Sequence, residues 1–213
     1  MRERVSVAAR RHVLTQHTRR RRFEEVLGRL GIQVPPSQPR ISILLATNRP
    51  ERLTAGLSGV DAQAWGNKDL VLILHGAGSF DMAAIAPTLA RLTYPTSVVA
   101  LPAELTLGQC LNEGLDHATG ELVTKMDNDD HYRPNHLLDL YAAHSYGGAQ
   151  VVGKASNIVY PEDHDMTIDW RTDREERFGP HVPGATMLLA RDLLDGSAST
   201  ASATMSMAPC GSE

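Results

Sequence analysis

No run of 18 or more apolar residues occurs in the 213-residue chain, so it offers no segment long enough to span a bilayer as a helix. Cysteine is scarce. Cys110 and Cys210 lie far apart without ligand spacing, which argues against a disulfide framework or a zinc site and suits a reducing cytoplasm. The Arg-rich N-terminus lacks the apolar core and small-residue cleavage site of a secretory signal, so a cytoplasmic location is expected. Aromatics are lean at 5%, but 42% apolar residues suffice for a core. There is no P-loop, no Gly-x-Gly-x-x-Gly and no Gly-x-Ser-x-Gly elbow, which removes kinase, dinucleotide-binding and hydrolase readings. Nor is there a Gly-rich N-terminal loop with a basic residue for a triphosphate, as a sugar-nucleotide pyrophosphorylase would need.

Charge is unevenly spread. Residues 1–40 hold ten Arg and three Glu, a balance of +7, so a net charge of −4 leaves −11 on the remainder. Such an arm can meet nucleic acid, an anionic membrane or an acidic partner, or it can be a solvated helix face, which is the simpler reading. No aromatic residue interleaves with the arginines before Phe23, which disfavours nucleic acid.

The most informative run is Lys125-Met126-Asp127-Asn128-Asp129-Asp130. Three carboxylates within four residues repel one another unless a cation compensates them. Hard divalent cations take carboxylate oxygens and bind phosphate at the same time. An EF-hand loop does not fit, because Tyr132 occupies the position where that loop needs Gly.

Hydrophobic periodicity places the run. A helix is expected over residues 4–30, then a breaker at Pro35, Pro36, Ser37 and Pro39. Strands are expected at Ile41–Ala46, Asp69–Leu74, Ser97–Leu101 and Glu121–Thr124. Helices are expected near Glu51–Leu57, Met82–Leu92, Leu107–Ala118 and Pro134–Tyr146. Further strand candidates are residues 150–154, 157–160 and the apolar run 183–190. Alternating strands and helices indicate an α/β domain with a mainly parallel sheet, whose ligands bind beyond the strand C-termini. Thr47-Asn48-Arg49, His75-Gly76 and the Asp run all stand at such ends.

The order of these pieces resembles the nucleotide-sugar glycosyltransferases of family 2, which have the GT-A fold. The resemblance is carried by Ile41–Pro50, by Leu107–Glu121 with its Asn112 and Ala118-Thr119-Gly120-Glu121, by Asp127-Asn128-Asp129-Asp130, and by Pro183–Asp192. It implies three segments: an Arg-rich helical extension and linker at 1–40, a GT-A-like domain at 41–194, and a tail at 195–213. The Ser/Ala/Thr/Met composition of that tail reads as disordered and resembles a truncated or frame-shifted end.

The resemblance implies a metal-dependent sugar transfer, inverting at the anomeric carbon, from a nucleotide-diphosphate donor to a glycan, lipid or protein acceptor. It assigns Asp129 and Asp130 to a divalent metal, Mn²⁺ or Mg²⁺, and Asp127 to the metal or the ribose. Thr47, Arg49 and Asn112 become nucleotide-sugar contacts. Lys125 is expected as an ion-pair partner of the cluster, while His131 and His181 are each more readily structural than metal-ligating. Two departures stand out. His75-Gly76 occupies the place where the family carries an acidic base-binding residue, and no catalytic base follows the last strand. The alternative is therefore a domain that binds donor and metal without turnover.

Overall fold

The aliphatic strands form the centre of the fold, because their side chains are removed from water there. The computed structural model describes residues 2–34, 38–155, 157–170 and 177–197. Its main sheet contains β1 (Ile41–Thr47), β2 (Lys68–His75), β3 (Thr96–Leu101), β4 (Leu122–Asp127), β5 (Val151–Val152) and β8 (Leu188–Ala190), in the order β3-β2-β1-β4-β8-β5. The first four run parallel, whereas β8 is antiparallel to β4 and to β5. β1 and β2 are buried along nearly their whole length, as expected of strands covered on both faces.

Helices cover both faces. On one side α3 (Leu53–Asp61), α4 (Met82–Leu89) and α6 (His136–Gly147) bring Leu57, Val60, Ile85, Leu137 and Leu140 onto Ile43, Leu45, Leu70 and Leu72. On the other, α5 (Leu107–Leu115) lays Cys110 and Leu111 against Leu44, Val71 and Ile73. Thr106 opens α5 with a complete capping box to Gln109. α7 (Arg191–Ser197) adds Leu194 to this second face and crosses residue 194, where the sequence suggested that the domain ends. Of the tail expected at 195–213, residues 198–213 lie outside the described residues, as do residues 35–37 of the expected linker.

The N-terminal arm departs from expectation. One helix was expected over residues 4–30, but two form, α1 (Arg2–Gln16) and α2 (Arg19–Arg29). Thr18 is the cause: extended in backbone, it accepts the Arg21 amide on its side chain and starts a new helix. α1 is fastened to α6 by Arg11, whose Nε and Nη2 meet the two carboxylate oxygens of Asp139 at 2.8 and 2.9 Å. A second small sheet pairs β6 (Asn157–Val159) with β7 (Ile168–Trp170). β7 lacked a sequence signal, being three residues long.

Candidate functional site

The parallel register sets the C-terminal ends of the central strands along one edge: Thr47 stands opposite Leu74, and Ala46 opposite Asp127. After β1 the chain moves outward to β2 and β3, then returns to the other side of β1 as β4. The β1–β4 boundary is thus the topological switch point, where crossovers leave a crevice. Thr47-Asn48-Arg49 and Asp127-Asn128-Asp129-Asp130 flank that boundary.

Side chains tie the two loops together. The Asn128 Nδ2 donates to Thr47 Oγ1 at 2.5 Å. Thr47 Oγ1 also accepts from the Arg49 amide at 3.1 Å. Arg49 Nη1 reaches Asp129 Oδ2 at 3.3 Å in an exposed, loose ion pair. Gly56 of α3 lies directly behind: a Cβ there would stand 3.2 Å from both Asn128 Cβ and Leu45 Cδ2, so the helix packs tightly under the loop.

Deeper in the strand, Lys125 is buried and its Nζ meets both oxygens of Asp127, at 2.7 and 2.9 Å. The expected ion-pair role of Lys125 is therefore what its geometry shows. Tyr132, overlooked in the sequence as a site residue, holds the turn from below. Its hydroxyl accepts the Asp127 amide at 2.9 Å. Its single proton can go to the Ala185 carbonyl at 2.9 Å or to Asp130 Oδ2 at 3.3 Å. Burial, first of all, pushes the Tyr132 hydroxyl well above its ordinary range, so it stays protonated. The signal that could have found it is scarcity: a large aromatic two residues after an acidic run, in a chain with few aromatics, has a core to fill.

Asp130 is shifted upward, chiefly by burial and next by the charge of Asp127, with Asp129 adding to it. The Tyr132 hydroxyl and the charge of Lys125 oppose that shift. Among the described residues, no three His, Cys, Asp or Glu side chains converge into a ready metal cage. His131 and His181 are exposed and form no such group with the carboxylates. Asn112 is exposed on α5, and no hydrogen bond among the described residues joins it to the cluster. His75 points elsewhere, its Nε2 lying 3.1 Å from the Ala103 carbonyl oxygen.

Two cavities lie away from this site. One of about 450 Å³ lies at the opposite end of the sheet beside Gln38, Pro39 and Glu121, and one of about 210 Å³ lies between α3 and α4. Asp129 and Asp130 instead lie exposed at the surface beside the switch point.

Known proteins resemble this chain in sequence and in fold. The Glycosyl transferase family 2 profile matches residues 42–208. The amylovoran biosynthesis glycosyltransferase AmsE of Erwinia amylovora is 35% identical over 82 residues, 38% of this chain and 30% of that protein. Among solved structures, the mannosyltransferase PcManGT of Pyrobaculum calidifontis, in complex with GDP-Man and Mn²⁺, superposes with a TM-score of 0.60 at 17% identity. It covers 89% of this chain and 57% of its own. TarS 1–349 of S. aureus in complex with UDP gives a TM-score of 0.52 at 19% identity, over 75% of this chain and 49% of its own. The chain thus spans under a third of the curated relative and about half of these solved structures.

Proposed function

The chain belongs to glycosyltransferase family 2 and has the GT-A fold, and from that premise we propose that it transfers a sugar from a nucleotide-diphosphate donor to an acceptor hydroxyl, with a divalent cation at the acidic cluster. The observation that carries the proposal is the join of the Asp127–Asp130 turn to Thr47 and Arg49 at the switch point. The solved relatives with GDP-Man and Mn²⁺, and with UDP, support a donor of this class.

The residues fit a hard cation. Their donors are carboxylate oxygens, and Asp130 is shifted upward first by desolvation and then by the charge of Asp127, both of which a bound cation would offset. Mg²⁺ and similar ions use one or two carboxylates and complete their shell with substrate phosphates, so no preformed cage of three side chains is required. Asp129 and Asp130 are the metal-side ligands. Asp127, already held by Lys125, faces the metal or the ribose. Bound there, a divalent cation supplies Lewis-acid stabilisation of the diphosphate leaving group.

The chain's own residues do the rest. Thr47 and Asn128 hold the β1 and β4 loops at a fixed separation, which positions the donor. Arg49, in a weak exposed pair, can leave Asp129 and grip a diphosphate with its planar fork. Asn112 completes the donor contacts on the strength of the family resemblance. Inverting transfer further requires a carboxylate to take the acceptor proton. The second reading is a domain that binds donor and metal without turnover.

Calorimetric titration with UDP and GDP, with and without Mn²⁺, tests the site on the wild-type chain and on Asp129→Ala/Asp130→Ala. Metal-dependent binding lost in the variant is the expected result. Absence of binding by the folded wild type overturns both readings. Sugar release or transfer from a bound donor separates them. A cytoplasmic location belongs to the same proposal, and cell fractionation checks it; no helix among the described residues is long and apolar enough to cross a membrane.

A further inference from the structure

The N-terminal arm carries an exposed face that the sugar-transfer site does not use. On α2, Phe23, Val26 and the capping residue Leu30 are 64, 53 and 68% exposed. At helical spacing they fall within about 60° of one another and form one stripe. Arg22 and Arg29, both exposed, border that stripe on one side, and the exposed Arg19 continues it at the helix start. The acidic residues are kept off it. Glu24 is drawn into an i,i+4 pair with Arg20 at 3.0 Å, and Glu25 falls on the far side of the helix. No residue of α2 is buried. A helix normally turns its apolar stripe inward, so one that leaves Phe, Val and Leu in water has another surface to meet.

We propose that this stripe seats the protein on an anionic lipid bilayer, with Phe23, Val26 and Leu30 entering the acyl boundary and the arginines lying among the headgroups. Charge complementarity selects the occupant. The first 40 residues carry +7, and the remainder carries −11. An anionic surface therefore attracts the arm and repels the body, which orients the molecule with α2 down. A second copy meeting face to face would bring two arms of like charge together, which disfavours self-association. Nucleic acid would use the arginines but gives Val26 and Leu30 nothing to bury against. Arginine's long stem lets the charged head stay with phosphates while its methylenes cover apolar surface, which suits the rim of such a stripe. The bidentate Arg11–Asp139 pair fixes the arm on α6, so the docking face is carried on the folded domain.

The test is co-sedimentation of the full chain with vesicles of equimolar phosphatidylglycerol and phosphatidylcholine, beside pure phosphatidylcholine, at low and high salt. Expected is binding to the anionic vesicles alone, weakened by salt. Arg19→Gln/Arg22→Gln/Arg29→Gln should lower partitioning on the order of a hundredfold. Phe23→Ser/Val26→Ser/Leu30→Ser should lower it at least about tenfold. Circular dichroism checks that each variant keeps the wild-type spectrum, and the salt response of the wild type stands independently of either variant. Absent or salt-insensitive vesicle binding by the folded wild type overturns the proposal. So does binding that survives the apolar substitutions and is displaced by duplex RNA, which would make the arm a polyanion binder. A concentration-dependent dimer abolished by the same apolar substitutions would assign the face to a second copy and overturns it equally. None of these readouts requires nucleotide or metal, so the result is separate from the fate of the sugar-transfer reading.

Discussion

The hydroxyl oxygen of Ser42 lies 2.7 Å from the Gly120 amide and accepts its hydrogen bond, joining the start of β1 to the turn before β4. The same oxygen accepts from the Thr119 amide at 3.0 Å, and its proton goes to Asp69 on β2 at 2.9 Å. Ser42 and Asp69 are both buried, so the carboxylate depends on this partner. The Ala-Thr-Gly-Glu segment singled out in the sequence therefore has a structural meaning. It locks β4, which carries the acidic cluster, onto the central strand.

That lock predicts two stability losses. A Cβ at Gly120 would stand 2.6 Å from the Arg40 carbonyl oxygen and from the Ser42 nitrogen. These are backbone atoms that cannot step aside, so Gly120→Ala should cost roughly 2–3 kcal/mol. Ser42→Ala leaves the amides and the Asp69 carboxylate unpaired and should cost about 1–3 kcal/mol. Urea unfolding measures both. A Gly120→Ala variant as stable as wild type would show that the turn is free to shift.

Tyr132→Phe keeps the ring against His136, whose centroid lies 4.8 Å away, and removes only the hydroxyl. The Asp127 amide then loses its acceptor and the Ala185 carbonyl its donor. Stability should fall by about 1–3 kcal/mol. Metal-dependent nucleotide affinity should fall as well, although Tyr132 is buried, because the turn that aims Asp127 and Asp130 loosens. Calorimetry on the refolded variant checks this. Unchanged affinity with reduced stability would confine Tyr132 to a packing role.

Asp130→Asn separates function from stability. The upward shift of Asp130 means that folding disfavours its charge, through burial first and Asp127 next. Neutralising it without metal should raise stability, by under about 1 kcal/mol, because Asp130 is desolvated on its protein side only and its surface stays open to solvent, which screens the charge. With nucleotide and Mn²⁺ the order should reverse, since only the wild type gains from ligand binding. Melting temperatures with and without ligand decide the point. Equal ligand-induced shifts in both proteins would remove Asp130 from the metal side.

Sequence reading recovered what is periodic and local. The parallel strands announce themselves because Ile41–Ala46 and Asp69–Leu74 are apolar but for Ser42 and Asp69, with breakers at both ends. The Asp run was legible because clustered charge needs a reason. What escaped depends on single side chains or distant partners. The break between α1 and α2 turns on one Thr18 hydroxyl. β8 runs against β4 because the chain returns from a long excursion, which no local pattern reports. Tyr132 acts through Asp127 and Ala185, residues that the sequence does not bring near one another. Asn112 remains apart from the cluster, so its role rests on resemblance alone.

His136 supplies an acid-sensitive element under the same site. It is buried, its Nε2 has no hydrogen-bond partner among the described residues, and burial lowers its pKa to about 4. The charge of Lys154 pushes in the same direction, and Asp139 opposes it. The unfolded chain takes up a proton near pH 6.5, whereas the native imidazole resists until about 4. Unfolded molecules therefore bind more protons in that window, and stability rises with pH across it. Lowering the pH from 6.5 to 4 should remove on the order of 3 kcal/mol through this residue. Asp130, with its pKa raised, acts the other way near the carboxylate range, where its protonation relieves repulsion. His136→Leu should flatten the loss between pH 6.5 and 5, where the carboxylate contributes least. Urea midpoints across that range measure it. An unchanged pH slope in the variant would place the acid sensitivity elsewhere.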